Sequence, residues 1–306
     1  MERREGVMPP RPGPPPRAVS RRRILIRRFA ALGVLLVVVV VGVVVAVKTL
    51  DRASSSSAPT TTAAALPPKP FRVVFPEGFT RRQMAQRVTA VAAIAHRERG
   101  VDPRLSSKAY LAATQPRRIP GFGSKRRPLE GFLFPATYEF LAKTTSPQLV
   151  ESQLKAFRQN WRKLDLSYAR SKNLTPYDVL IIASMVEKEA IAPDERAKIA
   201  AVIYNRLHAH MTLGIDATIR YGLNVPGTKA LRVSQLESDN PYNTRKHAGL
   251  PPTPIANPGL ASLQAAAHPA KVPYLYFVRK PDKVHHFFTA SERDFINYER
   301  AHGYIR

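Results

Sequence analysis

The sequence predicts an α+β fold with a single N-terminal transmembrane helix, a small strand-helix unit and a helix-rich domain that ends in a β-hairpin. Three observations lead to this prediction. An unbroken run of uncharged residues lies near the N-terminus. Several later apolar segments repeat at the helical period and begin with capping residues. Near the C-terminus, apolar and polar residues alternate in two short segments, as they do in paired strands.

The first 47 residues predict a basic tail followed by a membrane span. Residues 1–28 contain nine Arg and two Glu, with six prolines between Pro9 and Pro16, a composition typical of disordered chain. Residues 29–47 are apolar and uncharged, and about 20 such residues span a bilayer. A cleaved signal peptide is the alternative, but its apolar core would be only about 7–15 residues long.

The flanks of this span predict its orientation. Arginines crowd its N-terminal side, so the positive-inside rule predicts a cytoplasmic N-terminus and an extracytoplasmic domain. Residues 48–70, rich in Ser, Thr, Ala and Pro, are predicted to form a linker. Cysteine is absent, which excludes disulfides and thiolate chemistry.

The chain is strongly basic, with a formal net charge of +26, and such a surface attracts polyanions. No motif combines aromatic and basic residues in the way nucleic-acid modules do, so no nucleic-acid partner is predicted. Outside a membrane, the accessible polyanions are lipid headgroups and wall polymers. His285 and His286 are adjacent on a predicted strand and point to opposite faces, so no metal or other cofactor is predicted.

Local signals place the elements of the exported chain. Thr80 and Gln83 form a capping box before an amphipathic helix. The segment 129–135 is apolar and aromatic and contains a single charged residue, Glu130. The aromatic side chains of this segment could form the base of a sugar-binding site or fill the core. Asn257 is predicted to cap a helix that follows it.

The segment 179–190 is an apolar run that ends in two carboxylates. Thr175 and Pro176 supply an N-cap hydroxyl and a proline suited to the first turn, which predicts a helix from this point. The helix is apolar all round and is therefore predicted to be buried. At 100° per residue, Glu187 and Glu189 project about 160° apart, so they cannot flank one bond.

Burial would raise the pKa of a carboxyl on this helix toward the range useful to a general acid. A Glu in a last turn is more often solvated or paired with a Lys or Arg, so spacing alone leaves the role of Glu189 open. The sequence also leaves the role of Asp216 open, because its side chain could bind a hydroxyl of a ligand or cap the turn at Thr218.

Several ordered segments together resemble the membrane-anchored YceG-like endolytic murein transglycosylases. These segments are 129–135, 183–189, 205–207, 216–218, 242–244, 249–252, 255–259 and 276–278. In this family the catalytic acid is the second glutamate of a Glu-Lys-Glu motif, which falls on Glu189. The resemblance further implies that the glycan cleft is lined by Asp216, Tyr242, Asn243, Thr244 and Asn257.

The resemblance implies an enzyme that cleaves the β-1,4 bond between N-acetylmuramic acid and N-acetylglucosamine in nascent peptidoglycan, leaving a 1,6-anhydro end. Its expected partners are glycan strands, the cell membrane and peptidoglycan synthases. A hydrolytic muramidase and a non-catalytic, membrane-tethered glycan-binding wall protein are the alternatives.

The chain departs from the family pattern at three places. Most members carry a complete LysM-like subdomain, whereas only a partial LysM-like unit is predicted here, over residues 71–116, before a catalytic domain at 117–306. Arg245 stands where an aromatic residue is common. Arg293 stands where a His often follows an acid.

Overall fold

The computed structural model describes residues 69–305. The predicted basic tail, the predicted transmembrane helix and nearly all of the predicted linker lie outside the described residues. Within residues 69–305, no helix is long and apolar enough to cross a membrane.

The described chain is a mixed, helix-rich α+β structure with a C-terminal hairpin, which confirms the predicted fold class at this level. Its helices are α1 (Arg81–Arg99), α2 (Ser107–Ala113), α3 (Ser146–Trp161), α4 (Ser167–Ser171), α5 (Pro176–Glu189), α6 (Arg196–His208), α7 (Asp216–Gly222), α8 (Val233–Leu236), α9 (Leu260–Ala267) and α10 (Glu292–Ala301). Its strands are β1 (Phe71–Val74), β2 (Thr137–Phe140), β3 (Tyr276–Arg279) and β4 (His286–Thr289).

Strands β1 and β2 pair antiparallel, with Phe71 opposite Phe140 and their rings stacked at 5.4 Å. This pairing crosses the predicted boundary between residues 116 and 117. Residues 69–305 all belong to one compact unit by their internal contacts. The segment predicted as a small unit is therefore packed into the rest of the domain, and its LysM-like character stays a prediction.

Two of the predicted helix starts are present with their capping interactions. Thr80 accepts a hydrogen bond from the Gln83 backbone, and the Gln83 side chain accepts one from the Thr80 N–H. Thr175 and Asp178 make the same reciprocal pair at the start of α5. Each such cap satisfies backbone N–H groups that a helix start leaves without partners.

The predicted cap at Asn257 is wrong. The N-cap of α9 is Gly259, with no side-chain cap of its own, and its N–H donates to Glu187 Oε2 at 3.0 Å. Asn257 is instead fully buried, because its amide serves an internal network described below. The start of α9 is thus satisfied by a carboxylate from α5.

Helix α5 forms the centre of the core. Every residue from 179 to 186 is buried, as the apolar pattern predicts, and α5 packs against α6, α7 and α9. Gly131 lies close beside it at φ +88°, where a Cβ would come within 2.7 Å of Pro254. Only glycine fits both this backbone conformation and this approach.

One of the two histidines of the C-terminal hairpin contacts the residue that precedes α6. His285 is half-exposed and pairs with Asp282 at 2.9 Å. His286 is buried, and its Nδ1 lies 2.7 Å from Glu195 Oε2, at the residue just before α6. His285 lies just before β4 and is exposed, whereas His286 is the first residue of β4 and is buried.

Candidate active site

A cleft of about 1600 Å³ opens at the C-terminal end of α5. Its walls come from the start of α1, from α7, from the loop that carries Tyr242 and from the β3–β4 hairpin. Basic side chains outnumber acidic ones in its lining. The basic residues are Arg81, Arg82, Lys188, Arg206, Arg220, Arg245 and Arg279, and the acidic ones are Glu130, Glu189, Asp216 and Glu299.

Glu189 is the last residue of α5 and lines this cleft, where it is partly exposed. Burial raises the pKa of its carboxyl, and the charge of Asp216 raises it further. The Arg279 guanidinium and a hydrogen bond from the Ala217 N–H act in the opposite direction. The net result is a carboxyl that keeps its proton to a higher pH than an exposed Glu does.

Glu187 faces away from the cleft, as the helical wheel predicts. Its Oε2 accepts the Gly259 N–H at 3.0 Å. Burial is the main reason that its pKa is raised. Because Glu187 is not among the residues that line the cleft, the two glutamates of α5 do not act on a common ligand.

Asp216 begins α7 and also lines the cleft. Its Oδ1 accepts from Arg245 Nε at 2.8 Å and lies 2.7 Å from a terminal nitrogen of the same guanidinium. The Thr218 hydroxyl bonds to Ile215 and not to Asp216, so the capping alternative is not seen. Arg245 therefore neutralises Asp216 at the cleft wall. Arg293 is exposed, and its Nε lies 4.0 Å from Asp294 Oδ1.

Tyr242 lines the cleft as well. Its hydroxyl is 2.8 Å from Thr253 Oγ1, and its ring packs on Tyr221 with centroids 5.1 Å apart. Both anchors hold the Tyr242 ring in the cleft wall.

Asn243 and Thr244 lie behind this wall and are not among its lining residues. Asn243 is fully buried and donates to the carbonyls of Leu236 and Ser238 at 2.8 and 2.7 Å. Thr244 Oγ1 accepts the Ile215 N–H at 3.0 Å. The structure therefore places both where they support the segments that carry Asp216 and Tyr242, and a direct contact with glycan stays a prediction.

Asn257 is likewise buried and outside the lining. Its Oδ1 accepts the Leu133 N–H, and its Nδ2 donates to the Phe79 carbonyl and to Glu130 Oε1, each at 2.9 Å. Asn257 thus joins the segment before α1 to the aromatic segment 129–135.

Glu130 is a site residue that sequence reasoning did not select. Only 1% of it is exposed, and its carboxyl accepts hydrogen bonds from the Arg81 N–H, Asn257 and Tyr221. Burial raises its pKa to about 7, against the lowering effect of these donors. The available signal was a single carboxylate between Leu129 and Gly131 in an otherwise apolar segment.

Within residues 69–305, no group of three His, Cys, Asp or Glu side chains is placed to hold a metal ion.

The fold and the cleft define a helix-rich α+β domain in which a glutamate at the end of a buried helix lines a large cleft. Residues 51–300 match the YceG-like family, and the chain belongs to this family, which confirms the predicted resemblance. The crystal structure of a yceG-like protein from Listeria monocytogenes superimposes with a TM-score of 0.61 and 30% identity, covering 74% of this chain and 75% of that one.

Two curated relatives carry the name endolytic murein transglycosylase. The protein from Bacillus subtilis (strain 168) is 40% identical over 155 residues, which are 51% of this chain and 43% of that protein. The protein from Streptococcus pneumoniae (strain ATCC BAA-255 / R6) is 34% identical over 224 residues, which are 67% of this chain and 40% of that protein. The chain thus spans less than half the length of these relatives.

Proposed function

We propose that this chain is a membrane-anchored endolytic lytic transglycosylase that cleaves nascent peptidoglycan between N-acetylmuramic acid and N-acetylglucosamine. The observation that carries the proposal is Glu189, a carboxyl that lines a large cleft at the end of a buried helix and whose pKa is raised by burial. The names of the relatives from B. subtilis and S. pneumoniae support the same reaction.

In the proposed reaction Glu189 is protonated at the start and gives its proton to the oxygen of the glycosidic bond. The bond between that oxygen and C1 of the muramoyl sugar then breaks, and the leaving strand departs with a free hydroxyl. The Glu189 carboxylate takes the proton of the C6 hydroxyl as O6 bonds to C1. The proton and the electron pairs balance without water, and the new end is a 1,6-anhydro sugar.

One carboxyl group suffices for this sequence of steps, whereas common glycoside hydrolases use two that flank the bond. Glu187 is turned toward α9 and cannot serve as the second acid. Asp216 does line the cleft, but its carboxylate is paired with Arg245. This arrangement favours the transglycosylase over the hydrolytic muramidase.

The products of the reaction test this proposal. Digestion of purified peptidoglycan with the full-length protein is expected to release muropeptides with anhydro ends, which mass spectrometry separates from reducing ends by the mass of one water. A digest that contains new reducing ends and no anhydro ends would establish the muramidase instead.

We also propose that the predicted helix at residues 29–47 anchors the domain at the outer face of the cell membrane. A linker of about twenty residues would limit the domain to strands close to the membrane, beside peptidoglycan synthases. A form that starts at Ala53 is expected to cut soluble strands but not to replace the full-length protein in cells. Full complementation by this shortened form would show that the anchor is incidental.

A further inference from the structure

Glu130 has no part in the reaction proposed above, yet its carboxyl lies at the cleft wall. Its Oε1 accepts from the Arg81 N–H and from Asn257 Nδ2, both at 2.9 Å. Its Oε2 accepts only the Tyr221 hydroxyl, at 3.1 Å. A buried carboxyl held on both oxygens has a fixed position, so it also fixes the hydroxyl that bonds to it.

Tyr221 lines the cleft beside Tyr242, with the two rings inclined at 58°. The Tyr221 hydroxyl is engaged by Glu130, and the Tyr242 hydroxyl is engaged by Thr253. Burial and the nearby Glu130 raise the pKa of Tyr221, so this hydroxyl stays a donor. Since both hydroxyls are occupied within the protein, each residue can offer a ligand its ring.

The position of Tyr221 relative to Glu189 follows from helix α7. Ala217, the second residue of α7, lines the cleft together with Glu189, and Tyr221 lies four residues further along the same helix. Residues four apart share a helix face and are separated by about 6 Å along the axis. Tyr221 therefore lines the same cleft as Glu189, about one helical turn along α7 from Ala217.

We propose that Tyr221 and Tyr242 form an aromatic wall that packs on the sugar next to the bond facing Glu189, and that Glu130 is a positioning residue that holds Tyr221 in this wall. The proposal rests on the function proposed above. A pyranose ring carries C–H groups on its faces, and an aromatic ring offers a matching apolar surface. The ligand class is a β-linked amino-sugar strand that is bound through its ring faces.

Truncating the wall tests the binding role. Tyr221→Ala is expected to raise KM for soluble, uncross-linked glycan strands on the order of 10-fold, with a smaller change in kcat, because the ring binds substrate and transition state alike. The Kd for the same strands, measured calorimetrically in the Glu189→Gln background, should rise by the same factor.

Tyr168 is a matched control for this substitution. It is also partly buried and packs on another tyrosine, Tyr204, with ring centroids 5.3 Å apart, but it is not among the cleft residues. Tyr168→Ala should leave KM and Kd unchanged. A Tyr221→Ala protein that melts cooperatively near the parent and binds strands within twofold of it would overturn the proposal.

Three further variants test the positioning role. Tyr221→Phe keeps the ring and loses the bond to Glu130, so KM should rise by about threefold. Glu130→Ala should raise KM at least as much. Glu130→Gln should restore it, because the amide oxygen can still accept from Arg81 and Asn257 and the amide N–H can donate to the Tyr221 oxygen once that hydroxyl rotates. If Glu130→Ala does not fold, the KM of Tyr221→Phe compared with that of the parent tests the positioning role. A rise in KM with Glu130→Gln equal to that with Glu130→Ala would refute positioning through this hydrogen bond.

The two proposals can fail separately. A parent protein that binds strands but forms no anhydro ends would disprove the proposed reaction, and the Kd of the Tyr221 variants would still decide the aromatic wall. A parent that forms anhydro ends while Tyr221→Ala binds normally would disprove only the wall. A parent that neither binds nor cuts strands would overturn both.

Discussion

Glu189→Gln is expected to lower the rate of strand cleavage by at least about 10²–10⁴-fold, the usual contribution of a general acid. Glutamine keeps the size of the side chain and removes only the proton that the leaving oxygen needs. The measurement is the rate of formation of anhydro ends from purified peptidoglycan. A non-catalytic, membrane-tethered wall protein would tolerate this substitution, so retained function in cells would favour that alternative.

Glu187→Gln is the matched control, because it makes the same chemical change two residues away on the same helix. Its side chain can still accept the Gly259 N–H that Glu187 accepts, and it does not line the cleft. We expect activity within a few fold of the parent. Equal losses in both variants would indicate damage to α5 and not loss of an acid.

The raised pKa of Glu189 also determines the pH response. Activity should fall on an alkaline limb as Glu189 loses its proton, at a pH above the range of an exposed Glu. The same rise in pKa disfavours folding at neutral pH, because the unfolded chain releases this proton more readily than the folded one. Glu189→Gln should therefore melt at or above the temperature of the parent. A melting point many degrees lower at every pH would identify Glu189 as a structural partner.

Local features were predictable from the sequence because they depend on neighbouring residues. The capping boxes at Thr80 and Thr175 need only a hydroxyl and a reciprocal side chain three residues later, and both are present. The apolar residues on all sides of α5 likewise predicted its burial, and the helical rotation per residue predicted the opposite directions of Glu187 and Glu189.

Contacts between distant segments were not predictable in this way. The pairing of Phe71 with Phe140 joins residues far apart in the sequence, and no local signal selects one partner strand over another. Asn257 precedes a helix and has the chemistry of an N-cap, yet its amide binds Phe79 and Glu130. The tertiary network outweighed the local preference, because the buried carboxyl of Glu130 requires donors.

Asp216 and Tyr242 were predicted to line a cleft with Glu189, and the structure brings these three together. The predictions for Asn243 and Thr244 followed from the same motifs, but a motif does not separate a residue that faces a ligand from one that supports it. Glu130 stood out in the sequence as a lone carboxylate but was not assigned to the site, because its partners Arg81 and Tyr221 come from two other segments of the chain.

Glu130→Gln is expected to make the stability of the domain less dependent on pH. The carboxyl has a pKa of 4.5 in the unfolded reference and about 7 in the fold, which corresponds to on the order of 3 kcal/mol. Because the folded state holds this proton more tightly, stability falls as pH rises from about 4.5 to 7 and carries a constant penalty above that range. Glutamine is neutral throughout and does not carry this penalty.

The measurement is thermal melting of the parent and of Glu130→Gln between pH 4 and pH 8. At pH 8 the variant should melt several degrees higher, since about 1 kcal/mol shifts the midpoint of a domain of this size by roughly 2–4 °C. At pH 4 the two should converge, because Glu130 is then neutral in both states. Glu139→Gln removes the charge of an exposed carboxyl and controls for the change in net charge. A variant that is less stable than the parent across the whole range would mean that the ionised carboxyl, with its three donors, stabilises the fold.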